Sequence, residues 1–165
     1  MRINPNTPLT APEAFDKAAR YCCAEERCRS QVIEKLKQWN VPQEMTNGLL
    51  IGLENSDFLN ENRYAEIFVR SKVRQNNWGR YKIIHALKTA NVNADSIKHG
   101  FSQLDEQLYL DTLQNVIQKA QRLIHEENPS LKQKKIIQHA VSKGFEMELI
   151  LREMNNEQLT IVNEQ

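Results

Sequence analysis

Three segments of this 165-residue chain align column for column: RSQVIEKLKQWNV at 29–41, RYKIIHALKTANV at 80–92 and QKKIIQHAVSKGF at 133–145. Val32, Ile83 and Ile136 share an aliphatic column, as do Ile33, Ile84 and Ile137; Leu36, Leu87 and Ala140 follow, and Val41, Val92 and Phe145 close each block. Asn40, Asn91 and Gly144 coincide just past the apolar run, and these residue types take the left-handed conformation of a helix C′ position at least steric cost. The offsets, from 29 to 80 and from 80 to 133, are 51 and 53 residues. A unit of that length holds three short helices and buries its apolar face only by stacking on its neighbours.

The aligned blocks are read as second helices. Third helices are predicted at about 43–54, 94–103 and 146–154, and first helices at about 11–24, 60–75 and 106–125. The predicted fold class is all-α: three tandem three-helix repeats forming an elongated, curved array. A flexible segment is expected at 1–10, repeats at 11–55, 60–103 and 104–154, and a tail at 155–165. Only five glycines and five prolines interrupt the chain, which favours helices over a turn-rich β fold. Leu113, Val116, Ile117, Ala120, Leu123 and Ile124 recur at one-face helical spacing. Thr10 with Glu13 three residues on reads as a capping box, Asn60 or Asn62 as the next N-cap, and Pro129-Ser130 as a break.

Charge is distributed unevenly beneath a formal sum of +1. Residues 60–103 hold 8 Lys and Arg against 3 acids, whereas 11–55 and 104–154 each carry one net negative charge. Along the helix predicted in this basic segment, Arg63, Arg70 and Arg74 fall within roughly 40° of one another, beside a Tyr64/Ile67/Phe68 face that reads as buried. Arg80, Lys82 and Lys88 add to the same repeat, a pattern suited to phosphates or an acidic partner. Glu66 is spaced to pair with Arg70, so a solvated charged face accounts for part of the stripe as well. Trp78, with Tyr81 beside it, suits stacking on a base, anchoring an interface, or stapling a helix start.

Catalytic machinery is not visible. GxxxxGK[ST], GxGxxG, GxSxG and HExxH are all missing, and His85, His99, His125 and His139 occupy different columns. No catalytic residue, cofactor or metal site is expected. Cys22, Cys23 and Cys28 crowd one stretch in an odd number, the usage of reduced thiols rather than a disulfide framework. No apolar run approaches the roughly 20 residues of a membrane span, and a signal pattern is lacking at the start, so a cytoplasmic protein without membrane contact is expected.

FLNENRYAEIFVRSKV (58–73) followed by WGRYKIIHALKTANV (78–92) resembles the central signature of RecX, the bacterial regulator of the RecA recombinase. YCCAEERCRSQVIEKLKQWNV (21–41) resembles the family's first-repeat segment through Arg29, Ser30, Glu34, Lys35 and Leu36; the likeness covers roughly 14–154 and is loose in the third repeat. The family usually ends its second helices in Lys-Gly, where this chain has Trp39-Asn40 and Ala90-Asn91. The resemblance implies three tandem three-helix repeats and a monomer without chemistry of its own. It implies binding in the groove of a RecA–single-stranded-DNA filament, bridging of protomers, and suppression of strand exchange and ATP hydrolysis. Arg63, Arg70, Arg74, Arg80, Lys82, Lys88 and Trp78 are the expected contacts. Two other readings stay open: a helical nucleic-acid-binding module acting without a recombinase, and a general helical-repeat scaffold.

Overall fold

The structure is a computed structural model and describes residues 9–163, with side chains through Asn156; the expected flexible segment lies outside the described residues except for Leu9 and Thr10. Among the described residues there are nine helices and no strand: α1 (Ala11–Ala24), α2 (Arg29–Gln38), α3 (Gln43–Asn55), α4 (Glu61–Asn76), α5 (Arg80–Thr89), α6 (Ala94–Ser102), α7 (Glu106–Leu123), α8 (Pro129–Ser142) and α9 (Met147–Asn163). In chain order they form three three-helix repeats, α1–α3, α4–α6 and α7–α9. Helix α9 runs on to Asn163, through most of the segment read from sequence as a tail.

Local side chains set the helix starts. The Thr10 N–H and hydroxyl both donate to the Glu13 carboxylate, at 2.9 and 2.6 Å. Asn60, rather than Asn62, opens α4: its Oδ1 accepts from the Asn62 and Arg63 N–H groups, each at 3.1 Å. Asp105 caps α7 in the same way, and Asn128 caps α8 with Pro129 in the first turn.

The second helices end identically. Asn40 and Asn91 both lie at φ 55° and Gly144 at φ 93°. Their N–H groups return to the carbonyls of Lys37, Lys88 and Val141 at 2.9, 2.9 and 2.8 Å. The N–H groups of Val41, Val92 and Phe145 reach back to Leu36, Leu87 and Ala140 at 3.0, 3.0 and 3.3 Å. This is the double closure of a Schellman motif, which satisfies carbonyls the ending helix would leave bare. Val41, Val92 and Phe145 are buried where the chain turns.

By contacts the chain divides into two compact units, one of Met1–Ile67 with Leu87–Gly100, the other of Phe68–Ala86 with Phe101–Gln165. In the first unit, Ala14, Ala18 and Cys22 of α1 pack with Val32 and Leu36 of α2 and Leu49, Leu50 and Leu53 of α3. Phe15 meets Phe58 edge to face at 6.2 Å. The second unit buries Tyr109, Leu113 and Ile117 of α7 with Ala140 of α8, Phe145 and Ile150. The predicted α7 face is buried as far as Ala120, but Leu123 is 64% exposed.

On α4 Tyr64 is buried as expected, but the rest of the buried face differs from the sequence reading. Ala65, Val69 and Val73 are fully enclosed, while Ile67 is 49% exposed. Within the first unit a Cβ on Gly100 would stand 2.8 Å from the Ala65 backbone, so this contact selects small residues on both sides. A reading that looks for large apolar residues passes over alanine there.

Successive repeats meet through corresponding columns. In the first unit the Ser30 hydroxyl donates to the Ala90 carbonyl at 2.6 Å, at the end of α5. In the second, the N–H groups of Gly79 and Tyr81 donate to the carbonyls of Lys143 and Gly144 at 2.9 and 3.0 Å, at the end of α8. Ser30 aligns with Tyr81, and Ala90 with Lys143. A Cβ on Gly79 would stand 2.2 Å from the Gly144 carbonyl carbon, so the second junction admits no side chain there. Gly79→Ala is expected to destabilise the protein by about 3 kcal/mol, the upper range of overpacking costs, read from urea unfolding followed by circular dichroism.

Candidate partner surface

The cations singled out from sequence separate into two groups once their neighbours are known. Arg63 belongs to the first group. Its Nε donates to Glu26 at 2.7 Å, and its terminal nitrogens reach the Asp57 carboxylate at 2.7 Å and the Asp57 carbonyl at 2.8 Å. Hydrogen bonds from Asn60 and then Arg63 hold the Asp57 carboxyl below the ordinary carboxylate range.

Arg80 is enclosed still further. Its guanidinium bonds Glu146 at 3.0 Å and Glu106 at 2.5 Å and lies 4.2 Å over the Tyr109 ring. The Tyr109 hydroxyl donates to Glu146 at 2.6 Å and accepts the Arg80 backbone N–H at 2.9 Å. Burial raises this hydroxyl above its ordinary range, keeping it a donor. The columns of the first junction correspond. Arg29 aligns with Arg80 and Asn93 with Glu146 at the offsets of 51 and 53, while Glu61 and Glu106 each open the first helix of the following repeat, with Tyr64 and Tyr109 three residues on. There Glu61 accepts from the Arg29 backbone at 3.3 Å and from the Asn93 amide at 2.7 Å, while the Arg29 guanidinium pairs with Glu54. Arg63 and Arg80 are thus held inside the fold by carboxylates.

The second group faces solvent. In the second unit, Val69 and Val73 anchor the C-terminal half of α4 and leave Arg70 and Arg74 exposed. After α4, Asn77 adopts φ 52° and the Trp78 N–H returns to the Lys72 carbonyl at 3.1 Å, which folds the indole back along the helix. Lys72 Nζ then lies 5.0 Å from the Phe68 ring centre and 5.3 Å from that of Trp78, and Lys82 Nζ lies 5.0 Å from Trp78. A half-buried indole between two ammonium groups, with two arginines nearby in sequence on the same helix, joins an apolar anchor to positive charge. Tyr81 is 64% exposed. Lys88 is exposed in the first unit. Lys72 was not among the residues picked from sequence; its spacing of four from Phe68 was the available signal.

The first unit has its own cation–aromatic group. Tyr21 and Trp39 meet edge to face at 6.1 Å, with Arg27 4.3 Å over Tyr21 and Lys17 4.5 Å over Trp39. The cysteines are unpaired; burial pushes the Cys22 thiol up to about 11, which keeps it protonated, whereas Cys23 is exposed.

Comparison with known proteins gives one consistent result. A family model described as the second three-helix domain of RecX matches residues 60–99. Regulatory protein RecX of Lactobacillus gasseri is 26% identical over 140 residues, 82% of this chain and 50% of its own length. Regulatory protein RecX of Bacillus pumilus is 25% identical over 140 residues, covering 84% of this chain and 52% of that protein. The chain spans about half the length of these curated relatives. Among solved structures, RecX from Lactobacillus salivarius superposes with a TM-score of 0.81 at 20% identity, covering 90% of this chain and 97% of that one. A second crystal structure of regulatory protein RecX gives 0.81 at 19% identity over 88% and 73%.

The two groups of cations predict different mutational costs. Arg80→Gln, which strands two carboxylates, is expected to cost about 2 kcal/mol, and the more exposed Arg63→Gln about 1 kcal/mol. Arg74→Gln is expected to stay within about 0.5 kcal/mol, all three read from urea melts at neutral pH. Because the Asp57 carboxyl is depressed in the folded state, its stabilisation is complete above the ordinary carboxylate range and is lost as pH falls through the folded value. The difference between wild type and Arg63→Gln is therefore expected to narrow on acidification, measured by the same melts at stepped pH.

Proposed function

We propose that this chain, whose residues 60–99 match the RecX family model and which aligns with RecX relatives at 25–26% identity, is a RecX-family protein that regulates a RecA recombinase by binding its filament on single-stranded DNA and restraining strand exchange and ATP hydrolysis. The observation that carries the reading is the exposed group around Trp78: Lys72 and Lys82 against the indole, with Arg70 and Arg74 on α4. Such a surface suits acidic side chains of a partner and phosphates alike. The regulator acts by occupancy rather than by a reaction of its own.

Arg63 and Arg80 enter this reading indirectly. Within the second unit the Arg80 ion pairs hold the start of α5, which carries Lys82, and Arg63 is spent on carboxylates of the first unit, so neither arginine supplies charge to the surface. The formal charge of +1 favours a partner that offers protein and DNA together over tight binding to bare DNA.

Steady-state ATP hydrolysis by RecA on single-stranded DNA, with this protein in excess, tests the proposal. Hydrolysis is expected to fall with added protein, and Arg70→Glu with Arg74→Glu is expected to raise the concentration for half-inhibition by about tenfold without lowering the melting temperature. Unchanged hydrolysis, combined with tight and steeply salt-dependent binding to bare DNA, would instead identify a nucleic-acid-binding module that needs no recombinase.

A further inference from the structure

Within the second unit, where α7 and α8 end, lies a cavity of about 350 Å³ that the surface around Trp78 does not use. That volume is at the lower end of the range small ligands occupy. Lys119 and Arg122 of α7 line it, with Lys143 beyond the end of α8. None of its described lining residues is a carboxylate. Lys119 and Lys143 have no side-chain ion pair among the described residues, and the only side-chain bond of Arg122 runs from Nε to the Gln118 carbonyl at 3.4 Å. Glu126, the acid that follows α7 most closely, is taken by Lys135 at 2.6 Å.

The helix ends do not neutralise this charge. Each helix C-terminus is worth about half a negative charge, so the ends of α7 and α8 offset about one of the three cations and leave roughly two in excess. The remainder of the lining is mixed. Val116 and Ala120 give an apolar floor, the largely exposed Leu123 extends it, and the side-chain amides of Asn77 and Asn115 have no hydrogen-bond partner among the described residues.

We propose that this cavity is a nucleotide-binding site, in which Lys119, Arg122 and Lys143 hold a phosphate, Asn77 and Asn115 bond the polar edge of a base, and Val116 and Leu123 take its flat face. A terminal phosphate, doubly charged, matches the charge left over and a strand phosphodiester offsets half of it, while the apolar floor distinguishes a nucleotide from a bare anion. The phosphate comes either from a single strand or from a free nucleotide. The inference stands apart from filament regulation, since its cations Lys119, Arg122 and Lys143 are none of those around Trp78, and Asn77 alone borders both places.

The test is an NMR titration of the full chain with thymidine 5′-monophosphate, thymidine and oligothymidylate, following the side-chain amides of Asn77 and Asn115. Saturable shifts of both amides are expected with the monophosphate at millimolar concentration, with thymidine weaker by about tenfold or more. Lys119→Gln with Lys143→Gln is expected to weaken the monophosphate by about tenfold or more at an unchanged melting temperature, and to lower the salt slope for oligothymidylate by about 0.7 per cation removed. If that pair fails to fold, Lys119→Gln alone carries the same comparison. Arg70→Glu with Arg74→Glu is expected to leave monophosphate binding unaltered, which separates this site from the regulatory surface. Oligothymidylate binding tenfold tighter than the monophosphate assigns the site to a strand, and equal affinity assigns it to a free nucleotide. Amide shifts that never saturate, thymidine binding as well as its monophosphate, or affinity unaffected by loss of both lysines would overturn the proposal.

Discussion

A helix that stops leaves its last carbonyls without partners, and in this chain the second helix of every repeat meets that demand with one residue at positive φ. Asn40, Asn91 and Gly144 reverse the backbone so that the next N–H points back into the helix, and the apolar residue after each is driven inward. Cap and core contact are therefore one event, and the third helix departs in a set direction. The carbonyls of Ala90 and Lys143, just before the reversal, remain available to the repeat that precedes them in sequence, and Ser30 and Gly79 take them up. Closing a helix and joining two repeats rest on the same short stretch of backbone.

Much of this architecture is legible in the sequence because it depends on short-range chemistry. The offsets of 51 and 53 residues align the capping columns, and asparagine or glycine is needed there whatever surrounds it. The Thr10 and Asn60 caps follow from side chains a few positions from the amides they bind. The enclosure of Ala65 is not legible in the sequence, because it rests on how near Gly100 comes to its backbone, a distance no local pattern encodes.

The candidate surface was legible only as a surplus of charge. Composition counts Arg63 and Arg80 alongside Arg70 and Arg74, but Glu26 lies 37 residues from Arg63, and Glu146 lies 66 from Arg80. Such pairings exist only after the repeats have met, so a helical-wheel argument places the arginines in register without separating the held from the exposed. Lys72 shows the converse: a cation of no special standing in the sequence gains its place when the turn at Asn77 brings Trp78 back beside it.

Beside the Arg80 ion pairs, the second junction joins main-chain donors to main-chain acceptors, with Gly79 and Gly144 as its closest points. Peptide groups are common to every residue, so positions around such a joint other than those of the Arg80 network can change their side chains while the backbone pairing persists. That tolerance agrees with a fold still superposing at a TM-score of 0.81 where four residues in five have been replaced. It also leaves the solvent-facing positions open to drift toward a new partner, as long as a few small or cap-forming residues stay in place.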